Sequence, residues 1–325
     1  MSVINKNAHD IEIKVPWGYI AAKIWGEESL PIVLTVHGRM DNAGAFDNLI
    51  PLLPDKFRYV CIDLPGHGKS SHFPPHLPLH TLNFLLVYRI MSKYFDEKSF
   101  ILLGHSYGAQ LGILFSRMYP HLVEKFIMIE GIHAYPIKAD DYIIHMLKIF
   151  QDHFSVHNKL ATGKQPKYKY EEAFNKVKCN RDNGPPISDK ATEVLLKRGL
   201  RKVGDDQYIF TLDQRMKYYI DPLHDCNFAV HSLKKHPLQC PTLMILAKGN
   251  DYTTKLFTPV LNELKKRDNF KYFEVEGYHD VHNVHPERVA PFIQEFLTSK
   301  GYAETLGSNT FRKLAAAASR FTRFL

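Results

Sequence analysis

Phe100-Ile101-Leu102-Leu103-Gly104-His105-Ser106-Tyr107-Gly108-Ala109 is the stretch that decides the fold. Four apolar residues run into a Gly-x-Ser-x-Gly pentapeptide, and a helical pattern from Ala109 to Tyr119 follows at once. A buried strand that turns sharply into a helix lifts the central side chain clear of the sheet edge. Glycines suit both flanks, because such a turn is strained and passes close to neighbouring backbone. The pentapeptide alone is common. Between a strand and a helix it marks Ser106 as a candidate nucleophile.

Working outward, the same rhythm repeats. Ile11 to Val15 and Tyr19 to Trp25 read as an opening hairpin. Pro31–Val36, Phe57–Ile62, Lys125–Ile129, Thr242–Leu246 and Phe270–Val275 read as further strands. Helical patterns cover Thr81–Phe95, Lys255–Lys266 and Pro286–Thr298. Continuous apolar strands separated by helices imply an α/β fold, a mostly parallel sheet with helices on both faces. Between residues 132 and 238 the rhythm breaks into a Lys-, His- and Tyr-rich, helix-patterned span. That span is expected to be an inserted helical cap, with Ser188 capping one of its helices. Residues 1–131 and 239–300 then form the core, and 301–325 a tail.

A serine needs a base, and the base needs an orienting carboxylate. With the serine on a strand-to-helix turn, the expected order is Ser, acid, His. His279, in Gly277-Tyr278-His279, follows the last strand, where an open α/β sheet carries its chemistry. Two carboxylates compete for the acid. Asp251 follows the strand Thr242–Leu246 and is preferred; Glu130, at the end of Lys125–Ile129, is the alternative. Asp280 is next to the base in sequence, and its side chain is expected to point away. A developing oxyanion requires preorganised donors. The backbone N–H of Tyr107 and that of Arg39, in the loop His37-Gly38-Arg39-Met40, are the candidates. Tyr142, Ile143, Met146, Leu147, Phe150 and Phe154 suggest an apolar pocket wall, although most of them are expected to pack the insertion onto the core.

Other motifs are set aside. Gly68-Lys69-Ser70 ends like a phosphate-binding loop, but the position that must be glycine is Asp63, so Asp63 to Ser70 is read as a structural loop with no nucleotide cofactor. His279, His282 and His285 lack a clear helical frame, so no metal is expected. The 325 residues carry a net charge of +8, with the cations interleaved with acids, so no nucleic-acid partner is expected. No apolar run approaches a membrane span, and the first residues lack the apolar core of a signal peptide. Four cysteines without paired or metal spacing, Cys61 within a buried strand pattern, suggest a reducing, cytoplasmic setting.

The series His37-Gly38, Asp63 to Ser70, Gly104 to Gly108, Gly249 to Asp251 and Gly277 to His279 resembles the α/β-hydrolase superfamily over about residues 10 to 300. Leu195 to Leu200, followed by Tyr208-Ile209-Phe210 and Asp213, is similar to animal serine hydrolase-like proteins of the kraken type. The resemblance implies a serine hydrolase, most simply one that cleaves a small to medium apolar carboxylic ester through an acyl-enzyme. Serine at the elbow, where superfamily members that form alkyl-ester intermediates carry aspartate, implies acyl transfer. Thioester, amide or carbon–carbon hydrolysis stays open, as does a ligand-binding protein without turnover. The family also implies peroxisomes as a location, which the ending Arg323-Phe324-Leu325 does not match. In the tail, Phe311, Leu314, Ala318, Phe321 and Leu325 recur at helical spacing among basic residues. This pattern allows weak membrane contact, with docking on the protein itself or fraying preferred.

Overall fold

The computed structural model describes residues 8–75, 78–96, 98–163, 165–181, 184–218 and 225–299. β1 (Ala8–Val15) and β2 (Gly18–Trp25) form the opening hairpin, with Val15 opposite Gly18. β3 (Ile32–Val36), β4 (Arg58–Ile62), α1 (Thr81–Tyr94), β5 (Phe100–His105), α2 (Tyr107–Met118) and β6 (Val123–Ile129) follow. An insertion then carries α3 (Tyr142–Ala161), α4 (Tyr170–Cys179), α5 (Asp189–Gly199), the hairpin β7 (Leu200–Gly204) and β8 (Gln207–Phe210), and α6 (Cys226–Lys235). The chain closes with β9 (Thr242–Ala247), α7 (Asp251–Leu256), α8 (Thr258–Leu264), β10 (Phe270–Val275), α9 (Val281–Val284) and α10 (Pro286–Thr298).

The main sheet has the order β1-β2-β4-β3-β5-β6-β9-β10. It is antiparallel from β1 to β4 and parallel from β4 to β10. Every residue of β5 and β9 is buried, because helices cover both faces of the sheet. On one face Phe84, Tyr88, Leu111, Phe115 and Leu261 build a core; on the other Phe46, Ile50, Leu195, Ile293 and Phe296 build a second. Cys61 is fully buried in the second, which pushes its thiol up to about 12. The edge strands β1 and β10 keep many positions exposed or half-exposed, as one-sided burial dictates.

The insertion leaves the sheet after β6 and returns at β9, and these two strands pair directly, Ile127 beside Leu243. It is not purely helical, since β7 and β8 form an antiparallel pair within it. Ser188 caps α5, its hydroxyl accepting from the Ala191 N–H at 3.3 Å. The expected helix 255–266 is broken between α7 and α8 at Phe257. Pro259 lacks an N–H and its ring crowds the carbonyl four residues back, so one continuous helix cannot run through it and the chain restarts as α8.

Asp63 organises the loop after β4. Its carboxylate accepts from the N–H groups of Ala43 at 2.7 Å and Lys69 at 2.9 Å, and pairs with Arg198 of α5 at 2.8 Å. A Cβ at Gly68, where φ is +51°, would lie 2.3 Å from that carboxylate, so the glycine is required. The tail 301–325 lies outside the described residues. Among the described residues no helix is long and apolar enough to cross a membrane.

Candidate active site

β5 ends where α2 begins, and Ser106 occupies the junction with φ +50° and ψ −113°. A non-glycine residue holds such a backbone only where its surroundings fix it. Here the Ser106 N–H donates to the Ile129 carbonyl of β6 at 2.8 Å. The motif glycines allow the close approaches. A Cβ on Gly108 would lie 2.2 Å from the Val36 carbonyl oxygen, and one on Gly104 would lie 2.5 Å from the Ala109 nitrogen.

The loop after β10 brings His279 to the serine. His279 Nε2 lies 2.9 Å from Ser106 Oγ, and Nδ1 lies 3.1 Å from Glu130 Oε2. With Nδ1–H donating to the carboxylate, Nε2 is left to accept from the hydroxyl. Burial works against an imidazolium at His279, but the hydrogen bond and charge of Glu130, with Asp280 adding, raise its pKa above the ordinary value. His105 supports the same loop, Nε2–H donating to the His279 carbonyl at 2.9 Å. Burial and the neighbouring His279 push His105 down to about 4, so it stays neutral.

The carboxylate on His279 is thus Glu130, and Asp251 is not part of the arrangement. Asp251 opens α7 with its side chain turned to solvent, paired with Lys255 one turn on at 2.6 Å. The residue of the β9 loop that reaches inward is its neighbour, Asn250. Asn250 Nδ2 donates to Glu130 Oε2 at 2.7 Å, and the Ala247 N–H donates to Oε1. Glu130 itself has φ +53°, which turns its fully buried side chain across the carboxyl ends of the strands. The signal for Glu130 was its place directly after a sheet strand; nothing in the sequence marked Asn250 as its support or His105 as the support of the His279 loop.

Comparison with known proteins places this geometry. Residues 31–156 match the model of the alpha/beta hydrolase fold family. A mouse serine hydrolase-like protein is 32% identical over 304 residues, covering 89% of this chain and 95% of its own. A probable serine hydrolase of Drosophila melanogaster is 33% identical over 294 residues, covering 89% and 87%. The chain belongs to the α/β-hydrolase family. Among solved structures, a hypothetical protein from Pseudomonas aeruginosa PAO1 is 25% identical with a TM-score of 0.76, covering 89% of this chain and 99% of its own. The thioesterase domain from the curacin biosynthetic pathway, at 20% identity and a TM-score of 0.71 over 88% and 99%, shares the fold.

In this chain Tyr107 is the first residue of α2, so its N–H lies at a helix N-terminus. Arg39 lies in a turn closed by the Asp41 N–H donating to the Gly38 carbonyl at 3.2 Å. That turn abuts the serine, since a Cβ on Gly38 would lie 3.2 Å from Ser106 Cβ. Both residues line, with Ser106 and His279, a cavity of about 870 Å³. The wall differs from the apolar one expected. From α3 it takes His145, Lys148, Ile149 and Asp152, while Ile143, Leu147, Phe150 and Phe154 are 60–71% exposed on the outer side. Of the other two histidines of that series, His282 is buried against Phe46 and His105, and His285 meets Glu287 at 3.3 Å.

Proposed function

We propose that this chain hydrolyses carboxylic esters through an acyl-enzyme, with Ser106 as nucleophile, His279 as general base and Glu130 as the orienting acid. The observation that carries the reading is the unbroken hydrogen-bond relay from Ser106 Oγ through both ring nitrogens of His279 to Glu130. Ser106 Oγ bonds to the carbonyl carbon while its proton passes to His279 Nε2. The carbonyl oxygen takes the electron pair and is held by the N–H groups of Tyr107 and Arg39. Collapse breaks the bond to the alkoxy oxygen, and His279 returns the proton to the departing alcohol. A water then gives a proton to His279 as its oxygen bonds to the acyl carbon, and collapse breaks the bond to Ser106 Oγ, which takes the proton back from His279 as the acid leaves. Glu130 stays ionised throughout, fixing the tautomer and stabilising the imidazolium.

The insertion acts in this reading as a cap, since its residues line the cavity that holds Ser106. The mixed wall, with Lys148, Lys176 and Lys217 beside Ile149 and Leu195, suits an ester that carries polar groups as well as an apolar chain. The test is steady-state hydrolysis of a p-nitrophenyl ester series of increasing acyl length. Saturable turnover that disappears in Ser106→Ala and in His279→Ala supports the reading. Turnover that survives in both variants rules out Ser106 and His279 as its source, and none with any ester while a ligand binds tightly replaces the reading with the binding-protein one.

A further inference from the structure

The insertion sends one guanidinium between the two loops that flank Ser106. Arg181 lies just after α4, and its side chain is only 14% exposed. Its Nη1 and Nη2 donate to the two Asp41 oxygens at 2.8 and 3.1 Å. Its Nε donates to Asp280 Oδ2 at 3.0 Å, and Nη2 also reaches Asp280 Oδ1. Both carboxylates are buried. Asp41 lies two residues after Arg39, and Asp280 directly follows His279. Each carboxylate is therefore an anchor for a loop that contributes to the reacting geometry.

An ion cluster is a costly way merely to seat an insertion, because apolar side chains of similar size would hold at least as well. What a guanidinium adds is direction. Its planar fork fixes distance and angle to each carboxylate at once. We propose that Arg181 is a positioning residue for the reaction: paired with Asp41 and Asp280, it sets the loop that bears the Arg39 N–H against the loop that bears His279. Seating of the insertion and assembly of the oxyanion and base geometry are thereby one event. This inference rests on the serine-hydrolase reading above.

The cluster also sets the field at His279. The groups that face this imidazole are Glu130 after β6, Asp280 on its own loop, Arg181 from the insertion, His105 of β5 and His282 of α9. Asp280 favours the imidazolium and Arg181 opposes it. Removing the guanidinium leaves two buried carboxylates without their counter-charge and favours the protonated base. The acid limb of the rate profile then moves to higher pH. Neutralising Asp280 moves it the other way.

The experiment measures kcat and KM on a p-nitrophenyl ester, the rate of inactivation by a fluorophosphonate from pH 5 to 9, and the melting temperature. The proteins are the wild type, Arg181→Lys, Arg181→Gln and Asp280→Asn. In Arg181→Lys, which keeps the charge and loses the fork, kcat falls by about tenfold to a hundredfold while KM moves far less. Arg181→Gln raises the acid limb and Asp280→Asn lowers it. Folded Arg181 variants with wild-type kcat and an unmoved limb would overturn the proposal and leave Arg181 as a structural tie. If the Arg181 variants do not fold, an unmoved limb in folded Asp280→Asn overturns it in the same way. A wild-type protein that neither labels nor turns over ester removes the serine-hydrolase reading, and this proposal with it.

Discussion

At the scale of single residues, Glu130 is held more firmly than its role as a partner to His279 requires. Its two oxygens accept from the Ala247 N–H, Asn250 Nδ2 and His279 Nδ1, so the carboxylate cannot rotate away. Glu130→Gln loses the charge and one acceptor, and kcat on an ester should fall by about 10²- to 10⁴-fold. Asp251→Asn breaks only an exposed pair with Lys255 and should leave kcat unchanged in the same assay. The pH dependence follows from the sign at His279. Its raised pKa keeps the ring protonated to higher pH than an ordinary histidine, and only the neutral ring takes the serine proton. Activity should therefore fall away on the acid side at a pH above that of a free imidazole. In Glu130→Gln this limb should move down, read from kcat/KM against pH. Ser106 and His279 were legible because each stands at a strand end with an informative neighbour sequence. The preferred carboxylate, Asp251, misses His279 by a matter of phase: after β9 the inward position falls on Asn250 and the outward one on Asp251. A sequence pattern does not resolve one residue of rotation where a strand becomes a helix.

At the scale of elements, the turn from β5 to α2 is the most constrained point of the chain. Gly108→Ala would drive a methyl group into the Val36 carbonyl, with backbone on both sides and nothing flexible to yield. We expect a loss of about 1–3 kcal/mol in denaturant unfolding, together with loss of turnover as the elbow shifts against β3. Ser188→Ala should cost about 1 kcal/mol by the same measurement, with turnover retained, because it removes only the cap of α5. The buried strands were readable from composition alone, since both of their faces are covered. α3 was not. Its apolar residues recur at helical spacing, but periodicity defines a stripe and not what the stripe faces. The side of α3 turned to the cavity is the one with His145, Lys148 and Asp152. The hairpin β7–β8 was also missed, because Leu200 to Gly204 is mostly exposed and carries no apolar run.

At the scale of the whole molecule, the insertion is tied to the core by ion pairs between residues far apart in sequence. Arg198 of α5 pairs with Asp63 after β4 and with Asp10 of β1. Such ties leave no local trace in the sequence, which is why the insertion was visible as a break in rhythm but its attachment was not. Arg198→Met would leave Asp63 buried without a counter-charge, at a cost of about 3–5 kcal/mol, seen as a lower urea midpoint. The sheet, the elbow and the insertion converge on one claim, that Ser106 is an activated nucleophile. The most direct measurement is mass mapping of the adduct formed with a fluorophosphonate probe on the folded protein. A single stoichiometric adduct on Ser106, absent in His279→Ala, is the predicted result. Folded protein that stays unmodified, or an adduct that forms at the same rate without His279, would contradict the account.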